Sequence, residues 1–337
     1  MNNAVPMVEV WRGDFVESLH CGAAVVCGDR GEIVQTWGNP DRLILPRSSC
    51  KMIQALPLIT SGAADAFGLA PQHLALACAS HNAAQIHIDT IQTWLSGLGL
   101  GENDLLCGAQ MPRDRAVKDA LLADRQLPCQ VHNFCSGKHA GFLTLNRHLR
   151  GHAEYIDPSH PVQRASLEAF ELTTGETSAG FAIDGCSAPN YVCRLHGLAR
   201  AMAWFAAADD RSDPTSKAAV SLVEAMTAHP DLVAGEGRAC TELMRAMGGQ
   251  VAIKTGAEGV FVAILPKQRL GIALKMNDGA TRASDAAIAA ILVHLKVLSP
   301  DHPATRMFVN ARQRNWRGID TGTIGICPEF LPDQARS

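Results

Sequence analysis

The sequence predicts an α+β fold in which one antiparallel sheet is built from both ends of the chain and a helical insert lies between them. Three observations carry this expectation. Residues 7–36 and 250–276 hold short β-rich runs separated by Gly- or Pro-containing turns. Much of the stretch 51–229 is rich in Ala and Leu at helical spacing. With 337 residues, 47% hydrophobic and 19% charged, the chain has ample material for a core.

The first extended stretch contains Val8-Glu9-Val10 and residues 23–26. Gly28-Asp29-Arg30-Gly31 then supplies a turn and residues 32–37 return, which is a hairpin signal. Pro46 ends an extended segment, and a helical pattern runs on from Cys50. Helical spacing covers 51–60, 84–98, 115–123, 141–148, 161–173, 196–208 and 217–229, and Cys78, within 74–80, reads as a buried small hydrophobe. Strands return at 250–254, 260–265 and 270–276, the last two joined by Pro266-Lys267-Gln268-Arg269, and a helix over 282–298 is expected to pack on the sheet. The expected subdomains are therefore 1–47 with 250–337 for the sheet and 48–249 for the helices, with an active site in the cleft between them.

Composition narrows the function. A formal net charge of -3 and no block of like charges argue against nucleic acid or an anionic membrane as partner, and leave a small molecule. The apolar run 286–298 is broken by His294 and Lys296 and is too short to span a bilayer. The N-terminus lacks the basic-then-apolar plan of a secretory signal, so a cytoplasmic protein is expected. Eleven cysteines, an odd number with no Cys-x-x-Cys, fit a reducing compartment better than a disulfide framework.

Three motifs then occur in a fixed order: Ser48-Ser49-Cys50-Lys51, Ser80-His81-Asn82 and Lys254-Thr255-Gly256. Each is weak alone, but the ordered triple is the catalytic kit of the serine β-lactamases and penicillin-binding enzymes, and the expected fold is serine β-lactamase-like. The chemistry has a physical logic. A serine hydroxyl is a poor nucleophile without a base, and Lys51 can be that base only while its amine is neutral. Burial and a second cation such as Lys254 would both disfavour the charged form. Ser48 at a helix start would meet unpaired N–H groups and the positive end of the dipole. Ser80 could pass the proton toward the leaving nitrogen, and Gly256 would let substrate approach the strand backbone. Each motif also has a purely structural reading: Ser48 as a helix cap, Lys51 as a solvated lysine, residues 80–82 as a turn at the end of a buried strand and 254–256 as a strand end.

A second cluster is His132-Asn133-Phe134-Cys135-Ser136-Gly137-Lys138-His139, to which Asp184-Gly185-Cys186 could be joined in space. Thiolates and imidazoles bind zinc, but the two cysteines lack paired spacing, so a metal site and a glycine-rich substrate loop both stand as readings.

With these strings, and with Cys107-Gly108 and Ser187-Ala188-Pro189, the chain resembles the zinc-containing L-asparaginase II family of rhizobial type over nearly its whole length. The resemblance implies that Ser48 and Lys51 form one Ser-Lys pair and Ser80 and Lys254 a second. It further implies that Cys135, Lys138 and Cys186 hold zinc, that Arg47, His139 and Asp184 grip the substrate, and that the protein is a homodimer. The substrate chemistry agrees, since Asp184 suits an ammonium while Arg47 or Asn82, beside Thr255 and Gly256, suits a carboxylate or amide. The reading is a cytoplasmic amidohydrolase converting L-asparagine to L-aspartate and ammonia through an acyl-serine ester. Its rivals are a glutaminase, because one methylene is worth only about 1–3 kcal/mol of discrimination, a β-lactamase or peptidoglycan peptidase, and a non-catalytic zinc-binding relic.

Overall fold

A computed structural model describes residues 4–334; the terminal residues 1–3 and 335–337 of the expected sheet subdomain lie outside it. The chain divides into two compact units, one of residues 1–49, 194–207 and 242–337, the other of 50–193 and 208–241.

In the sheet unit, Val5–Arg12 and Phe15–Gly28 form a hairpin whose turn uses Gly13 in the left-handed region (φ 55°). The strands run in the order Ala311–Arg314, Asp320–Ile326, Val5–Arg12, Phe15–Gly28, Leu270–Met276, Val260–Leu265, Ala252–Thr255, with Ile33–Trp37 also paired to Phe15–Gly28. Every pairing is antiparallel. Both chain ends do contribute, as the sequence predicts, but Ala311–Arg314 and Asp320–Ile326 escape it. Their polar, half-exposed residues lack an apolar alternation to read.

Val260–Leu265 is buried at all six positions, so it needs cover on both faces. Two helices, Leu195–Ala206 and Thr281–His294, pack against the sheet strands. The first falls within the stretch 48–249 that spacing assigns to the helical insert. Its position follows from Gly271, where an added Cβ would lie 2.0 Å from the Ala203 nitrogen and 2.3 Å from the Ala199 carbonyl oxygen. Helical spacing alone does not say which layer a helix joins.

In the helical unit, Lys51–Thr60 is buried from Lys51 to Leu58 and is flanked by Ser136–Leu149, Pro161–Thr174 and Pro214–Ala228. Two local expectations are corrected here. The segment before residues 80–82, which the purely structural reading makes the end of a buried strand, is the helix Pro71–Ala77, started by Pro71 and capped by a hydrogen bond from the Ala70 N–H to His73 Nδ1 at 2.9 Å. A short apolar run is ambiguous between the two states, and tertiary packing decides. The helix expected from 141 starts at Ser136, because Gly137 allows it to lie against Pro71–Ala77: a Cβ there would sit 2.4 Å from the Leu76 carbonyl oxygen. Among the described residues no helix is long and apolar enough to cross a membrane.

Candidate functional site

Arg47–Cys50 is a single 3-10 turn entered through Arg47 in the left-handed region (φ 55°), and Lys51 begins the helix that follows. The division between the two units falls inside this motif, after Ser49. The two adjacent serines have different tasks. Ser49 is buried and its Oγ donates to the Pro46 carbonyl at 2.7 Å, so its hydroxyl is spent on the turn. Ser48 is only half-buried.

The sheet unit brings the third motif to this turn. Ala252–Thr255 ends at Gly256, whose N–H donates to Val260 at 2.7 Å. A Cβ on Gly256 would lie 2.7 Å from the Pro46 carbonyl oxygen and 3.3 Å from Ser49 Cβ. Lys-Thr-Gly thus ends on the Ser-x-x-Lys turn, and glycine is required by that close approach. Lys254 is fully buried, with Nζ donating to the Thr255 carbonyl at 2.7 Å. Thr255 Oγ1 donates to the Gly256 carbonyl at 3.3 Å.

The helical unit gathers the other candidates around Lys51. Its Nζ, on a side chain 1% exposed, donates to the Ala79 carbonyl, to Ser80 Oγ at 3.1 Å and to Cys135 Sγ at 3.2 Å. The stretch 80–82 is pinned on both sides. Ser136 Oγ donates to the Val131 carbonyl at 2.8 Å and so accepts from His81 Nε2 at 3.0 Å. Asn82 Oδ1 accepts from the Ala84 N–H at 3.1 Å, and its carbonyl accepts from the N–H groups of Arg113 and Asp114.

Cys135 precedes the first turn of Ser136–Leu149, which carries Lys138 and His139. Cys186 lies in the turn between the strands Phe181–Ile183 and Pro189–Tyr191, after Asp184, and Ser187 there is left-handed (φ 69°). Lys138 Nζ donates to Cys186 Sγ at 3.1 Å. The hydrogen bond from Cys135 depresses the Cys186 thiol well below its ordinary range despite burial, with Lys138 adding to the effect. The same bond and burial push the Cys135 thiol up to about 12. Burial alone would lower Lys138, but the charge at Cys186 and Cys135 holds its ammonium above the ordinary lysine value. Within the cluster Cys186 is thus shifted toward the thiolate, and Cys135 and Lys138 toward their protonated forms.

Two thiols and an amine so arranged form a three-donor set with room in their chemistry for a fourth ligand, and one of them is shifted toward its ionised form. They fit a zinc ion on loss of the protons from Cys135 and Lys138. Among the described residues no group of three or more His, Cys, Asp or Glu side chains is placed to hold a metal. None of the eleven cysteines, all among the described residues, forms a disulfide.

His139 is fully buried beside this cluster, and burial, then Lys138, pushes its imidazole well below the ordinary histidine range. Its Nδ1 is 2.8 Å from the hydroxyl of Tyr155. Sequence reasoning missed Tyr155; its signal is rarity, since the chain has only two tyrosines. It missed the pair His81 and Ser136 as well, although both stand inside the quoted motifs.

No curated protein matches the chain. The L-asparaginase II family matches residues 8–326. Among solved structures, Mglu in its tris and glutamate form is similar at 13% identity with a TM-score of 0.47, covering 83% of this chain and 60% of its own. The chain thus spans about three fifths of the length of that protein. A β-lactamase from Bacteroides dorei is similar at 11% identity with a TM-score of 0.46, over 82% of this chain and 93% of that one. A β-lactamase from Mycobacterium bovis is similar at 14% identity with a TM-score of 0.42, over 81% and 94%.

Proposed function

The chain belongs to the L-asparaginase II family and is a hydrolase acting on amides, and from that premise we propose that it hydrolyses L-asparagine to L-aspartate and ammonia through an ester on Ser48. The observation that carries the mechanism is the buried amine of Lys51, 3.1 Å from Ser80 Oγ and three residues beyond Ser48. In its neutral form Lys51 gives up one of its three donated bonds, takes the Ser48 proton as Oγ attacks the side-chain amide carbon, and passes it through Ser80 to the leaving nitrogen. The C–N bond breaks, ammonia leaves, and water then cleaves the ester to free aspartate and the Ser48 hydroxyl. Backbone N–H groups at Ser48 hold the oxyanion, and Lys254 adds positive charge. The bond from Ser49 to the Pro46 carbonyl supports Ser48 rather than Ser49 as the nucleophile.

Asp184 is assigned to the substrate ammonium, and Arg47, with Asn82, Thr255 and Gly256, to its carboxylate and amide. Cys135, Lys138 and Cys186 are assigned to zinc. When bound, the ion supplies a fixed charge and a clamp between the 184–188 turn and the helix Ser136–Leu149, while the nucleophile remains Ser48. A homodimer in a reducing, cytoplasmic compartment completes the proposal, and eleven cysteines outside any disulfide agree with that compartment.

The test is intact-mass detection of an acyl adduct during turnover of asparagine. Wild type and Ser80→Ala are expected to show it, the latter at a lower rate, while Ser48→Ala shows no adduct and no ammonia release. An adduct surviving in Ser48→Ala would overturn the assignment. Faster turnover of glutamine than asparagine would move the reading to a glutaminase, and adduct formation with penicillin but neither amide would move it to a β-lactamase.

A further inference from the structure

The hydroxyl of Tyr155 lies between two groups. It accepts from the Leu106 N–H at 2.8 Å and sits 2.8 Å from His139 Nδ1. Tyr155 and His139 are both fully buried. His139 Nε2 is also buried and has no hydrogen-bond partner among the described residues.

Three arrangements of the protons are possible, and counting the buried groups left unsatisfied separates them. If Nδ1 carries the hydrogen and donates to Tyr155, the phenol hydrogen has no acceptor and Nε2 is an unused lone pair, so two groups are orphaned. If both nitrogens are protonated, the phenol hydrogen is again orphaned and a buried cation is added. If Tyr155 donates to Nδ1, the phenol is satisfied as donor and acceptor, and only the Nε2–H stays unused. Each orphaned buried group carries an uncompensated desolvation penalty, so the last arrangement wins by the count.

We propose that Tyr155 is a positioning residue: it fixes His139 in the tautomer with hydrogen on Nε2, so that a neutral N–H donor is kept for the carbonyl or carboxylate oxygen of the substrate. The His139 N–H donates to the Cys135 carbonyl at 3.0 Å and the residue follows Lys138 in the first turn of Ser136–Leu149, which puts it among the residues assigned to the site. A donor left unmade in the free protein and made on binding is paid back only when the ligand arrives. That last step rests on the amidohydrolase reading above; the tautomer does not.

The test therefore has two arms. In the first, nitrogen NMR of histidine-labelled protein, with His139 assigned by its loss in His139→Gln, reads the tautomer directly. Wild type is expected to show hydrogen on Nε2 and a bare, hydrogen-bonded Nδ1; Tyr155→Phe is expected to lose that single form and populate the other tautomer. Hydrogen on Nδ1 in wild type, or an unchanged ring in Tyr155→Phe, would overturn the proposal, and the wild-type spectrum decides even if the variant does not fold. In the second arm, Tyr155→Phe is expected to raise KM for asparagine about tenfold with kcat changed less. A KM equal to wild type with an altered tautomer would sink the substrate-donor role, while a wild type with no turnover of asparagine would sink the amidase reading and leave the tautomer standing.

Discussion

In the sheet unit the candidate residues are held by backbone: Gly256 and Ser49 both lie against the Pro46 carbonyl, and Lys254 Nζ bonds the neighbouring Thr255 carbonyl. In the helical unit they are held by one another's side chains, with Lys51 on Ser80 and Cys135, Lys138 on Cys186, and His139 on Tyr155. The first arrangement is a matter of shape, so it should respond to added volume and ignore charge. The second is a matter of buried charge and protons, so it should respond to a lost partner, to metal and to pH.

The largest effect should come from Cys186→Ala. It leaves the buried Lys138 ammonium without its thiolate, and breaking such a pair costs about 3–5 kcal/mol. In chelated protein the thermal midpoint should fall steeply. The double variant Lys138→Met with Cys186→Ala should recover most of the loss, since no charge is left unpaired. Equal midpoints for the single and double variants would show that the helical unit is not held by charge after all. Zinc content, measured by elemental analysis, should fall in both.

Next is Gly256→Ala, which sharpens the other side of the comparison. The new methyl would lie 2.7 Å from the Pro46 carbonyl oxygen, against backbone that has no rotamer to yield. Overpacking of this kind costs about 1–3 kcal/mol. Amidase activity should fall at least about tenfold, because the turn that presents Ser48 must shift, while zinc content stays at the wild-type level. A fully active variant would break the claim that shape governs this unit.

The same contrast explains how much was legible beforehand. The central strands and the helix Lys51–Thr60 were readable because apolar periodicity survives wherever one face is buried. Ala311–Arg314 and Asp320–Ile326 were not, because half-exposed polar strands leave no such trace. The site motifs were visible as strings, yet nothing in the spacing puts Lys51 on Cys135 or Tyr155 on His139, pairs that are 84 and 16 residues apart. Nor does it distinguish Ser49 from Ser48; only the hydrogen bond to Pro46 does.

Acid should separate the units further. Burial depresses His73, His87 and His160, all in the helical unit, below the ordinary value of 6.5. The folded unit thus refuses protons that the unfolded chain takes up, so its stability is complete above about pH 6.5 and declines as pH falls. In the sheet unit a depressed group is Asp278: burial would raise it, but the Ala280 N–H and His20 hold it below 3.8. Its contribution is present above that value and lost only beneath it. Amide protection, corrected for the intrinsic exchange rate, at about pH 5.5 against about pH 7.5 should therefore fall first in residues 71–97 and 160–174, with any loss in the strands smaller. An equal fall in the strands 260–276 would remove the distinction.

The smallest effect is expected from Glu17→Gln in the sheet unit. Arg12 and Glu17 make a bidentate pair at 2.8 and 2.9 Å, and the partnership raises the arginine and lowers the carboxyl. Geometry alone would make this look like a strong ion pair. Exposure decides otherwise: the side chains are 56% and 45% exposed, water already solvates both charges, and salt screens what attraction is left. The thermal midpoint of Glu17→Gln should match wild type within error at low and high salt. A clear drop at low salt alone would mean that surface charge does help hold the sheet, and that the two units differ less in kind than in how deeply each buries its charges.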